Sequence, residues 1–180
     1  MIVFISGGAR SGKSQFAEQT ALALFNKTKG ESSLTYIATA KKSDAEMVER
    51  IKIHQQEREK EWQTVEESFD LIPVLLSCKK DDVILVDCLT IWLSNVMFEL
   101  EDSIDVIEHQ VKSWISLARE KQFHLLVVSN DVNEGIPTSD EGVHTYMYAL
   151  QRLHQTIVHQ AELAVEVQAG VPTYWKGERE

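Results

Sequence analysis

The chain has 180 residues, of which 43% are hydrophobic and 26% charged, the balance of a globular protein able to bury a sizeable core. Lys+Arg 18 against Asp+Glu 28 gives a formal net charge of −10. That sign disfavours duplex nucleic acid or an anionic membrane as the main partner, because both need a basic footprint. It leaves room for nucleotides held by backbone amides and a few placed cations.

Taken in order, short apolar bursts at Ile2–Ile5, Leu34–Ala38, Val83–Val86, Leu125–Val128 and Leu163–Val167 read as strands. They are rich in β-branched residues and mostly do not alternate, as expected of parallel strands buried on both faces. Helical stretches separate them at Lys13–Asn26, Asp44–Glu61, Leu89–Leu100, Ile104–Gln122 and Val143–Gln160. Strands alternating with helices imply βαβ units and a doubly wound, mainly parallel sheet with helices on both faces. With no Pro/Ser-rich linker and no internal repeat, one α/β domain over residues 1–180 is expected.

The first burst runs into Gly7-Gly8-Ala9-Arg10-Ser11-Gly12-Lys13-Ser14, which matches G-x-x-x-x-G-K-[ST] at every defined position. Glycines let the backbone curl so that successive N–H groups point inward, and a helix N-terminus adds partial positive charge. Lys13 is placed to reach the β- and γ-phosphates, and the Ser14 hydroxyl to sit on Mg²⁺. Such a loop needs a carboxylate across the metal, at the end of a neighbouring strand. Asp87, closing Val83-Ile84-Leu85-Val86, is the candidate, with a helix-capping or turn role as the alternative. Asp131, after Ser129-Asn130, is a looser fit.

Lys41 to Asp70 is the most charged segment, and its ordinary meaning is a solvated helix face. Ser43 and Glu46 form a capping box at the start of that helix. Met47, Ile51, His54 and Arg58 then fall on one stripe, so an imidazole emerges with a guanidinium one turn beyond it. A neutral imidazole is a competent nucleophile toward phosphorus. None of the six histidines forms a zinc pattern, and Cys78 and Cys88 read as buried thiols of a reducing compartment. No apolar run approaches the ~18 residues of a membrane-spanning helix, and Met1–Ser6 carries no basic leader. A cytoplasmic location is expected.

The motifs GGARSGKS (Gly7–Ser14), YIAT (Tyr36–Thr39), DAEMVERIKIHQQER (Asp44–Arg58), WQTVE (Trp62–Glu66) and VDCLTIWLSN (Val86–Asn95) occur in that order. Together they resemble the bifunctional adenosylcobinamide kinase/adenosylcobinamide-phosphate guanylyltransferase family of cobalamin synthesis. The likeness is dense over nearly the first 100 residues. It implies a P-loop enzyme that phosphorylates adenosylcobinamide with GTP or ATP. It also implies transfer of GMP from GTP onto the resulting phosphate, through a guanylylated histidine matching His54. The same resemblance carries nucleotide contacts to Gly7–Ser14, Thr39, Ala40, Lys41, Gln55, Gln56, Glu57, Arg58, Glu66 and Asp87. It implies Mg²⁺ at Ser14 and Asp87, a corrinoid substrate and a trimeric assembly.

The last third departs from the family pattern. Where an R-x-[FY]-R-D element followed by Gly and Asn is usual, this chain has His144, Tyr146, Met147 and Tyr148, then Gln151 and His154. The loop near Gly135 carries Pro137 displaced by one. A kinase of another small hydroxylated substrate and a silent nucleotide-binding regulator are the alternative readings at this point.

Overall fold

The computed structural model describes residues 1–28, 32–41, 62–131 and 140–178. Among the described residues, seven strands form one sheet: β1 (Ile2–Gly7), β2 (Leu34–Ala38), β3 (Trp62–Glu66), β4 (Val83–Asp87), β5 (His124–Asn130), β6 (Leu163–Gln168) and β7 (Val171–Lys176). Their order is β3-β2-β4-β5-β1-β6-β7. Every pairing is parallel except β6 with β7. The expected doubly wound α/β sheet is therefore present.

The described helices are α1 (Lys13–Lys27), α2 (Ile72–Ser77), α3 (Leu89–Phe98), α4 (Ile104–Lys121) and α5 (Glu141–Gln160). Helix α1 covers one face of the sheet, where Ala17 and Ala21 are fully buried against Val3, Ile5, Leu85 and Leu126. Two alanines one turn apart let the helix axis lie close to the strands. Helices α2 to α5 cover the opposite face around Trp92 and Trp114, whose rings meet edge-on at 4.4 Å. The central strands are apolar on both sides because both sides are covered.

Three elements were not expected from the sequence. Strand β3 is an edge strand that is only half-buried, so it lacks the continuous apolar run of the central strands. Helix α2 has six residues, too few to show a period, and begins beside Pro73. Strand β7 is the other edge, and Pro172 is tolerated there because an edge residue need not donate to the ladder. Helix α5 begins two residues earlier than expected, because the Asp140 carboxylate accepts the Gly142 and Val143 N–H groups as its cap. The helix expected over Asp44–Glu61, with the Ser43–Glu46 box, lies outside the described residues, as does the loop carrying Gly135 and Pro137.

Candidate nucleotide site

The carboxyl ends of β1, β2, β4 and β5 meet at one edge of the sheet, where open α/β folds bind their ligands. The loop from Gly7 to Ser14 turns there from β1 into α1. A Cβ on Gly7 would lie 2.4 Å from the Val167 carbonyl oxygen, so only glycine lets β1 pass β6 at this point. Gly12 caps α1 with φ +91°, in the left-handed region that favours glycine. The β6–β7 turn leans on the loop from outside, with the Gly170 N–H donating to the Ser11 carbonyl at 2.8 Å.

Lys13 is buried, and its ammonium donates to the Gly8 carbonyl at 3.0 Å, which holds it across the loop. Ala9 and Arg10 are exposed at the tip, Gly8 and Ser14 are half-buried, and Ser11 is buried with a hydroxyl that meets no hydrogen-bond partner.

Asp87 is the last residue of β4 and continues the alternation of Val83 and Leu85, which face α1. Its carboxylate therefore lies on the same side of the sheet as Lys13 and Ser14 at the start of α1. Helix α3 begins at Leu89 with Cys88 as its cap residue and no side-chain cap bond, which removes the helix-capping alternative for Asp87. The Tyr36 hydroxyl donates to Asp87 Oδ2 at 2.9 Å.

Thr39 follows β2 and is fully buried. Its hydroxyl donates to the Cys88 carbonyl at 2.8 Å and accepts the Cys88 N–H at 2.9 Å, while its own N–H donates to the Asp87 carbonyl at 3.2 Å. The Asn95 amide donates to the Thr39 and Ser68 carbonyls at 3.0 and 3.1 Å. Thr39 thus fixes the chain around Asp87 at three points. Ala40 is half-buried beyond it. Lys41 is ion-paired with Glu99 and stands 4.3 Å from the Phe69 ring centre. Glu66, exposed at the end of β3, is level with Ala38 and, across β2, with Asp87. His54 and Gln55, Gln56, Glu57 and Arg58 lie outside the described residues.

Several residues here carried no sequence signal of their own. The Thr90 hydroxyl accepts from the Asn130 amide at 2.9 Å, and its carbonyl accepts the Tyr146 hydroxyl at 2.8 Å. Ser129 and the His154 Nε2 are 2.7 Å apart. Tyr146 thereby ties α5 to the first turn of α3 and His154 ties it to β5, which accounts for an aromatic and an imidazole in the divergent helix. Burial pushes the Cys88 thiol up to about 11, with the Asp87 charge adding to it, so this cysteine is no nucleophile at neutral pH. Burial likewise pushes the Tyr146 hydroxyl up to about 12 and holds the His154 imidazole down at about 4.

A phosphate loop with its lysine, and an acid on the same face of the next-but-one strand held in place by buried polar side chains, suit a nucleotide phosphate chain. The family model for cobinamide kinase / cobinamide phosphate guanyltransferase matches this chain from residue 3 to residue 174. The chain belongs to that family. Among its relatives is the bifunctional adenosylcobalamin biosynthesis protein CobP of Pseudomonas aeruginosa, 36% identical over 177 residues, covering 97% of this chain and 96% of the relative. The bifunctional adenosylcobalamin biosynthesis protein CobU of Escherichia coli is 28% identical over 184 residues, and that of Salmonella typhimurium 27%. Both alignments cover 95% of this chain and 97% of the relative. The divergent helix α5 thus lies inside the matched range.

Proposed function

We propose that this chain phosphorylates adenosylcobinamide and then transfers GMP from GTP to the adenosylcobinamide phosphate, using His54 as the nucleophile of the second reaction. The reading is carried by one observation above all: the phosphate loop and Asp87 meet at one sheet edge in a chain that belongs to this family along nearly its whole length.

In the kinase step the substrate hydroxyl oxygen attacks the γ-phosphorus of GTP or ATP. The β–γ bridging bond breaks, the nucleoside diphosphate leaves, and the hydroxyl proton is released. Lys13 neutralises charge developing on the departing oxygens, and the loop N–H groups hold the phosphates in line. In the transferase step an imidazole nitrogen of His54 attacks the α-phosphorus of GTP and pyrophosphate leaves. The phosphate oxygen of adenosylcobinamide phosphate then attacks the phosphoramidate, regenerating the imidazole and giving adenosylcobinamide-GDP. Gln55, Gln56, Glu57 and Arg58 follow His54 in the chain and would contact the same nucleotide, with Ala40, Lys41 and Glu66 at its rim.

Mg²⁺ fits the donors on this edge. Among the described residues no group of three or more His, Cys, Asp and Glu could hold a metal unaided. One hydroxyl (Ser14) and one carboxylate (Asp87) suit an ion that keeps its waters and takes its remaining ligands from phosphate. Bound there, it would neutralise charge on the nucleotide's phosphates. The acidic balance of the chain makes such neutralisation important for an anionic substrate. The same reading makes the chain one domain over residues 1–180, a cytoplasmic enzyme of small molecules, and a homo-oligomer, a trimer by family resemblance. No described helix is long and apolar enough to cross a membrane.

The test is covalent labelling. Protein incubated with Mg²⁺ and GTP labelled at the α-phosphate should retain label that is acid-labile and base-stable, and His54→Ala should retain none. An unlabelled wild type that still binds GTP would remove the histidine intermediate.

A further inference from the structure

The Tyr36 hydroxyl is the described side chain that grips the carboxylate of Asp87. Strand β2 pairs with β4 in parallel, with Tyr36 opposite Leu85 and Ala38 opposite Asp87. Tyr36 is therefore one pleat step back from Asp87 on the neighbouring strand, on the same face of the sheet. A phenol is long enough to reach diagonally along that face, and its hydroxyl arrives 2.9 Å from Oδ2.

The tyrosine is itself fixed. The residue is only 8% exposed, packed in the core beneath α1. The Trp62 indole of β3 meets it edge-on, with centroids 6.2 Å apart and planes at 77°. Trp62 is paired with Leu34, so three adjacent strands place indole, phenol and carboxylate in a row. A carboxylate at a strand end is otherwise free to rotate about its terminal torsion. A phenol O–H on one oxygen sets that torsion and would leave Oδ1 available to a metal ion or its water.

We propose that Tyr36 is a positioning residue for the metal: it holds Asp87 so that one carboxylate oxygen is presented to Mg²⁺ on the nucleotide. The inference rests on Asp87 being the metal-linked acid. Tyr36 touches no reacting atom and acts only through Asp87. Partners of this kind tune metal affinity by about 10-fold or more when removed.

The experiment measures, by calorimetry, binding of a GTP analogue whose α–β bridge is a methylene group and so cannot guanylylate His54, with Mg²⁺ and in EDTA, for the wild type, Tyr36→Phe and Asp87→Asn. The ratio of the two affinities reports the contribution of the metal to binding, without reference to turnover. Tyr36→Phe keeps the ring and its contact with Trp62, so the EDTA affinity and the melting temperature should stay at wild-type values. Its metal-dependent ratio should fall about 10-fold. A wild-type ratio in Tyr36→Phe, with the ratio lost in Asp87→Asn, would overturn the role of Tyr36 and leave Asp87 in place. A wild-type ratio in Asp87→Asn would instead overturn the assignment of Asp87 itself. Equal losses in Mg²⁺ and EDTA for Tyr36→Phe would make it a packing residue and also overturn the proposal.

Discussion

The phosphate loop and the corner around Asp87 lie at the same sheet edge and are built by opposite means. The loop is made from backbone: its conformation depends on glycines at Gly7 and Gly12, and its tip residues, Ala9 and Arg10, are exposed. Its one committed side chain is Lys13, which bonds within the loop, five residues back, at Gly8. The Asp87 corner is made from side chains that join distant stretches. Thr39 grips Cys88 across 49 positions, and Asn95 reaches back 56 to Thr39. A backbone site tolerates change in most of its side chains but not in its glycines or its lysine. A side-chain site fails wherever a buried partner is lost.

Removing Lys13 gives the largest expected effect and tests the first half of that contrast. Lys13→Ala should lower kcat of nucleotide turnover by on the order of 10²–10³. Its thermal unfolding should change little, because the loop conformation is set by backbone. A large loss of stability in a calorimetric scan would show the loop to be as dependent on side chains as the corner is.

Asn95→Ala addresses the other half and should act in reverse order. It leaves the buried Thr39 carbonyl without its amide donor and takes one from Ser68, at a cost of about 1–3 kcal/mol in urea unfolding. Activity should fall by less than in Lys13→Ala, through misplacement of Asp87. A neutral stability result would break the comparison.

Near neutral pH the smallest effect is expected at the anchor of α5, where it emerges only on acidification. His154 is held near 4 in the folded chain and titrates at its ordinary 6.5 when unfolded. Between those values the unfolded state binds the extra proton, so stability rises with pH and is lost as pH falls from about 6.5 toward 4. His154→Asn should flatten that part of the stability–pH curve, read from melting temperatures in a buffer series, while leaving the region above pH 7 unchanged.

Much of this was legible in the chain. The loop announces itself because its residues are contiguous and each is required by local geometry: a close approach at Gly7, a left-handed cap at Gly12, a cation at Lys13. The central strands announce themselves because burial on both faces demands unbroken apolar runs. Asp87 is picked out as a candidate by combining the two. Strands β3 and β7 escaped because edge strands are half-solvated and carry no such run. Tyr36, Asn95, Thr90 and Asn130 were not marked as site residues, since nothing local requires them. Their roles come from partners dozens of positions away.

The sequence by itself therefore determined the doubly wound sheet, the phosphate loop and the family to which the chain belongs. Each of these is written in local periodicity or in contiguous motifs. Only the tertiary structure decided what holds Asp87, and that α5 is tied to β5 through His154 and to α3 through Tyr146. Those are hydrogen bonds between strands and helices far apart in the chain, and their geometry exists only once the register of β2, β4 and β5 is set.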